Sequence, residues 1–449
     1  NYLKEYVPEK VTDATGVSAE VLRELAKEVI EHAPLLALGG GNLTATDQGV
    51  ETLVAVNMLN AVSGALDNTI RFYDQAAPEG STHQDLTQLV SDLNAGKIKL
   101  LIIDDSNPVY ALPHSMGFLK AMKKAFVVSL ASQKSETTHA ANLVLPTLTA
   151  YESWGDAFPR TGVRSIQQPV MSTVNMFDAK AREDILLSAA QSANEKAFPR
   201  NSNYLDYLQD VWSKIQREVG DERNFDSFWI NVLENGGIFE QPKYISTSLN
   251  RKVTSVKVND PGMGDRDGLT LLPTTSLLLG DGSGANKPWL QEVPNPMSQI
   301  VWDSWMEINP VTAQKLGIND RAIVEVSTPH GSVEVTAYYH FGIHRNAISI
   351  PMGQGHKHSG NVADGFGINV MDLLSDQMDN AGCFAFVGTK AKLKMINEKS
   401  YTVNMDGNAR QLGRDIAAAT TVEKLNKGDE HHAGHNRPTE FYPDRSETA

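Results

Sequence analysis

Residues 305–396 carry a pattern of alternation that few folds can absorb. AIVEVSTPHGSVEVTAYY (322–339) places apolar and polar residues in turn on both sides of TPHG. That pattern specifies a hairpin with one buried face. Before it, Asn309 is placed to cap a short helix with Pro310 at its first position, and Gly317 to end it. After it, NAISIP (346–351) and FAFVGTKAKLKMI (384–396) read as further strands. Short strands with one helix crossing between them suit a closed barrel, because closure leaves no strand edge exposed. The stretch that begins at Trp289 ends at His358 in MGQGHKH, a loop rich in glycine and histidine.

The first part of the chain alternates differently. SAEVLRELAKEVIEH (18–32) has an apolar stripe at helical spacing, with Ser18 as N-cap and Glu20 in the first turn. LLALGGG (35–41) reads as a buried strand ending in glycines, followed by a helix over about 47–63. DLTQLVSDLNAG (85–96) predicts a helix, KIKLLIIDDSNP (97–108) a strand and turn, 114–124 a helix, and AFVVSLA (125–131) and LVLP (143–146) strands. Strand–helix–strand order implies a Rossmann-like α/β layer with a parallel sheet, whose ligand crevice lies beyond the carboxyl ends of the strands.

Residues 180–250 are charged, aromatic-spotted and helical in pattern, and 251–288 contain one clear strand, TSLLLG (275–280). The expected organisation is therefore an α/β domain (1–178), a mostly helical connector (179–285), a barrel (286–405) and an extended polar tail (406–449). At 449 residues the chain is long enough for two or three domains. NYLKEYVPEK lacks an initiator Met and a signal region, which reads as a start within a longer protein. A net charge of −14 argues against nucleic-acid binding. No run of 18 apolar residues is present, so no direct membrane span is expected. The single cysteine, Cys383, rules out an internal disulfide and any cluster or zinc site built from several thiolates of this chain.

Several constellations have chemical potential. GGGN (39–42) could wrap a phosphate or form a tight turn; Thr44 stands where the GxGxxG fingerprint needs its third glycine. Asp104, Asp105 and Asn107 could bind a metal or cap a turn. Ser135, Glu136, Thr137, Thr138 and His139 form a polar loop before LVLP, with no nucleophile elbow beside it. In the barrel loop, Gly353 and Gly355 let backbone approach a flat ligand, and Gln354 can donate and accept at a pterin or guanine edge. His356 and His358 could serve the same ligand or a metal. HHAGH (His431, His432, His435) is a metal, subunit or solvated cluster. Trp212, Trp229, Trp289, Trp302 and Trp305 are expected as core or interface anchors.

Three segments together resemble the molybdopterin oxidoreductases of the dimethyl sulfoxide reductase type: SNPVY with SETTHAANLVLPTLTAYESWGDA, the barrel run EINPVTAQKLGINDRAIVEVSTPHGSVEV, and PMGQGHKHSGNVADGFGINVMDLL. The resemblance covers about 1–170 and 285–395. It implies a C-terminal barrel of the double-psi, dinucleotide-binding type, with Gly353, Gln354, Gly355, His356 and His358 on the pterin side and Asn369 matching the family's GxN. ANKPWLQEVPNPMSQIVWDSWMEINP is further similar to the branch that includes the large subunit of alternative complex III and its counterpart in the periplasmic menaquinone reductase complex. That branch implies a structural subunit without molybdenum, on the periplasmic side of the cytoplasmic membrane. Its implied partners are an iron–sulfur protein or domain, a multihaem cytochrome c and a quinone-binding membrane subunit. The alternative is an enzyme holding molybdopterin guanine dinucleotide with Mo or W, its metal ligand lying upstream of residue 1. A nucleotide-binding enzyme of Rossmann type is a third reading, resting on fold alone.

Overall fold

The computed structural model describes residues 6–73, 80–174, 177–194, 203–248, 250, 268–398 and 402–404. The hairpin pattern resolves into strands Ile323–Thr328 and Gly331–Tyr339, which pair antiparallel around Pro329 and His330. Gly331 has no room for a side chain, since a Cβ there would stand 2.4 Å from Asp372 O. The inward residues Val324, Val326, Val335 and Ala337 join Leu271, Ile308, Ile348 and Ile350 in one buried core. Six strands close around it in the order 305–308, 331–339, 323–328, 390–397, 269–274 and 347–351, the last returning to the first. Two of the pairings are parallel: 305–308 with 336–339, and 347–351 with 270–274. Helix Pro310–Lys315 starts as expected, with Asn309 accepting from the Val311 N–H at 3.0 Å, and Gly317 follows it at φ +67°.

One barrel strand, Leu269–Thr274, comes from the segment assigned by sequence to the connector. The strand expected at 275–280 is instead a turn in which Gly280 N–H donates to Ser276 O. Gly280 at φ +58° and Gly282 at φ +95° have left the extended region, so the strand ends before them.

Strands Leu100–Asp104, Phe126–Ala131 and Leu143–Pro146 form the expected parallel sheet. Its core holds Val90, Leu93, Ile103, Phe118, Met122 and Val127, and also Phe384 from the chain between the last two barrel strands. The α/β unit and the barrel therefore share packing. Three local expectations change. LLALGGG is not a strand: the Ala37 N–H and C=O bond the Asn60 side chain at 2.7 and 3.0 Å rather than a neighbouring strand. The helix expected over 114–124 is split by Gly117 at φ +68° into His114–Met116 and Phe118–Met122. Helix Ala19–Glu31 is capped by Ser18, yet buries none of its residues.

Helices Arg182–Ala193, Tyr204–Glu218 and Phe225–Asn235 confirm the helical character of the connector. Trp212, Phe228 and Trp229 centre its core. They pack near an antiparallel sheet of 155–160, 163–167 and 237–239, for which the sequence reading had assigned no strands. Trp305 is buried, whereas Trp289 is 84% exposed and anchors no core. The expected tail, with His431, His432 and His435, lies outside the described residues.

The barrel core should respond as a close-packed interior. Ile348→Ala, at a fully buried strand position, should lower stability by about 2–5 kcal/mol in urea unfolding with an unchanged slope.

Candidate functional site

The glycine- and histidine-rich loop leaves the barrel after strand Ala347–Pro351 and runs against the α/β unit. Opposite it, Ser135 caps the short helix Glu136–Ala140, its Oγ accepting from Thr138 N–H at 3.2 Å. This places Glu136 in the first turn, 9% exposed. Four donor–acceptor contacts then meet on its carboxylate. His356 Nδ1 lies 3.1 and 3.3 Å from the two oxygens, the Lys357 N–H donates at 2.8 Å, and Asn107 Nδ2 donates at 2.7 Å. Asn107 is oriented in turn by Thr137, whose N–H and hydroxyl donate to Asn107 Oδ1 at 3.1 and 2.8 Å.

His356 is 2% exposed. Its Nε2 lies 3.1 Å from Gly282 O, and its ring stacks on Tyr110 at 3.8 Å between centroids. A carboxylate and a carbonyl only accept, so both ring nitrogens of His356 face acceptors. Burial pushes the Glu136 carboxyl upward, but hydrogen bonds from His356, Asn107 and the Lys357 N–H outweigh it and bring it down from 4.5 to about 2. Tyr110 is raised far above the ordinary phenol value, by burial first and then by the Glu136 charge. Its hydroxyl donates to Gln354 O at 2.8 Å.

The remaining loop residues are engaged in the same way. Gln354 and Gln291 exchange two amide hydrogen bonds, at 2.7 and 3.1 Å. Asn369 Nδ2 donates to Tyr110 O at 2.9 Å, while its Oδ1 accepts from Met371 N–H. The glycines serve close approach by the protein itself. A Cβ on Gly355 (φ +84°) would lie 2.1 Å from Asn369 N, and one on Gly353 (φ +110°) 2.8 Å from Leu279 Cβ. A cavity of about 30 Å³ remains beside the glutamine pair, between Leu279, Leu290, Trp302 and Met352. That is room for about one water, whereas pockets for cofactor-sized molecules run to several hundred Å³. In this arrangement Gly353, Gln354, Gly355, His356 and Asn369 do not fit a pterin, because their polar groups and close-approach faces are taken by protein.

His358 is separate from that cluster. It is exposed and stacks on His139 at 3.6 Å with an interplanar angle of 5°. Asp104 and Asp105 do not join Asn107 in a metal site; both lie against Arg182, at 3.3 and 3.8 Å. GGGN forms a turn, with Gly40 at φ +129° and Gly41 at φ +59°. Tyr110, Gln291 and Gly282 complete the cluster without having been singled out by sequence. Each is distant in the chain from its partner, and the only sequence signals were the NPVY run and PWLQEVP. A larger cleft of about 540 Å³ opens between Val109, Leu112, His114, Phe118 and Lys120, and none of the predicted residues of the barrel loop lines it.

Comparison with known proteins follows this geometry. Residues 291–382 match the molydopterin dinucleotide binding domain. Over 388 residues the chain is 26% identical to the menaquinone reductase molybdopterin-binding-like subunit of Nitratidesulfovibrio vulgaris, covering 82% of this chain and 54% of that protein. It is 23% identical to the assimilatory nitrate reductase catalytic subunit of Bacillus subtilis, covering 66% of this chain and 41% of that one. In fold it is similar to acetylene hydratase from Pelobacter acetylenicus, with a TM-score of 0.56 and 17% identity over 88% of this chain and 65% of that one. The chain thus spans about half the length of the curated relatives it matches.

Two outcomes test the cluster. Glu136→Gln removes the buried carboxylate that His356, Asn107 and the Lys357 N–H share, so stability should fall by about 3–5 kcal/mol in urea unfolding near pH 7. Because the folded pKa of Glu136 is depressed to about 2, its contribution is complete above about pH 4.5 and is lost as pH falls toward 2. Stability of the parent should therefore drop more steeply across that window than stability of Glu136→Gln.

Proposed function

This chain belongs to the molybdopterin oxidoreductase family, and from that premise we propose that it is a structural, non-catalytic subunit of a quinone-linked respiratory electron-transfer complex. The observation that carries the reading is the cluster around Glu136. The loop that would face a pterin instead spends His356, Gln354 and Asn369 on Glu136, Gln291 and Tyr110. Such a loop fixes the barrel to the α/β unit, and a rigid body of this kind can hold redox partners at fixed separation. The similarity to a menaquinone reductase subunit described as molybdopterin-binding-like supports the same reading.

In this proposal the partners are an iron–sulfur protein or domain, a multihaem cytochrome c and a quinone-binding integral membrane subunit, as in alternative complex III. Assembly takes place on the periplasmic side of the cytoplasmic membrane. Among the described residues no helix is long and apolar enough to cross a membrane, so attachment in this scheme runs through the partners. A second reading, a molybdenum or tungsten enzyme holding molybdopterin guanine dinucleotide, is favoured by the dinucleotide-binding-domain match over 291–382.

The two readings separate on the protein isolated from its native membrane with its partners. Metal analysis and the fluorescence of oxidised pterin should give far less than one molybdenum or tungsten and one pterin per chain. Stoichiometric metal and pterin would establish the second reading in place of the first.

A further inference from the structure

The cleft of about 540 Å³ beside helix Phe118–Met122 lies outside the hydrogen-bonded cluster around Glu136. Its volume falls within the range of small-molecule pockets, about 300–1,000 Å³. A break in the helical path builds it. Helix Pro108–Ala111 follows strand Leu100–Asp104, and Gly117 then separates His114–Met116 from Phe118–Met122. Gly117 holds φ at +68°, a conformation that costs glycine little and other residues more. Residues from both sides of that break line the cleft.

Part of the lining is apolar: Leu112 and Phe118 are buried, and Val109 and Leu119 line the cleft with them. The rest is basic. His114, Lys120 and Lys123 line the cleft and no aspartate or glutamate does, although the chain carries a net charge of −14. The three basic groups differ. His114 Nδ1 lies 2.9 Å from Asp372 Oδ1, and a hydrogen bond from Asp372 raises its pKa, so its charge has a partner. Among the described residues the Lys120 and Lys123 ammonium groups have neither a hydrogen bond nor an ion pair. The adjacent Lys124, by contrast, donates to Asn94 O at 3.2 Å. Lys120 and Lys123 stand three residues apart, the spacing that puts side chains on one side of a helical turn.

A neutral apolar molecule would leave the two lysines unused, and a small hydrophilic anion would leave the apolar lining wet. A molecule with an apolar body and one negative group uses both, through burial of the body and a charge-assisted contact at the ammonium groups. We propose that this cleft binds a small amphipathic anion, its apolar body against Val109, Leu112 and Phe118 and its carboxylate at Lys120 and Lys123. The site is independent of whether the chain is catalytic, because no lining residue belongs to the barrel loop or to the Glu136 cluster. Both lysines are exposed, so binding weakens as salt screens them.

The test is calorimetric titration of the 449-residue chain at low salt, with octanoate as the probe and octan-1-ol as its uncharged counterpart. Octanoate should bind saturably, one per chain, and at least about fivefold more tightly than octan-1-ol. The preference should shrink in about 0.5 M sodium chloride. The double variant Lys120→Met, Lys123→Met keeps apolar stems at two exposed positions, so its thermal midpoint should match the parent's. It should bind octanoate at least about fivefold more weakly and octan-1-ol unchanged. Leu119→Asp, which sets a carboxylate in the lining, should weaken octanoate further than octan-1-ol. No saturable octanoate binding, equal affinity for acid and alcohol, or octanoate affinity unchanged in the lysine variant would each overturn the proposal.

Discussion

The junction between the two main units depends on one buried carboxylate. Glu136 receives His356, Asn107 and the Lys357 N–H, and it is the centre through which strand-end loops of the parallel sheet reach the barrel. A charge in that position is costly unless fully hydrogen-bonded, and here the bonds come from two distant segments, the barrel loop at His356 and Lys357 and the strand-end turn at Asn107. The arrangement is consequently all-or-none. Displacing the loop would strand a carboxylate, the His356 ring and the Tyr110 hydroxyl together. Packing reinforces it, since Phe384 lies in the α/β core although its chain belongs to the barrel side.

This constraint bears directly on function. A cofactor loop needs polar groups that are free to meet a ligand and glycines that leave space. In this chain the same residue types face protein. Gln354 is matched by Gln291, Asn369 by Tyr110 O and Met371 N–H, and the glycine faces by Leu279 and by Asn369 itself. The family fold is compatible with both a working and a structural role, and the proposed structural role rests on the occupancy of these side chains.

The barrel was legible in sequence because its signal is local. Alternation around TPHG, Asn309–Pro310 and Gly317 each report on neighbours a few residues away, and each formed as read. The strand was placed at 275–280 because LTLLPTTSLLLG offers two apolar runs, and only pairing with Ala347–Pro351 selects the first, Leu269–Thr274. His356, Gln354 and Asn369 were recognisable as special, but not as interlocked. Glu136 lies 220 residues from His356, and Tyr110 lies 259 from Asn369, so no spacing rule joins them. Residue type indicated capacity for chemistry, while the partner that consumes that capacity was a matter of tertiary structure.

The most direct measurement is a double-mutant cycle between Glu136 and His356, using Glu136→Gln, His356→Gln and the double variant in urea unfolding near neutral pH. A buried, hydrogen-bonded interlock predicts a coupling energy of about 2 kcal/mol or more, with the double variant less destabilised than the sum of the singles. Additive losses, with a coupling below about 0.5 kcal/mol, would mean that the loop is not held by this pair and would contradict the account.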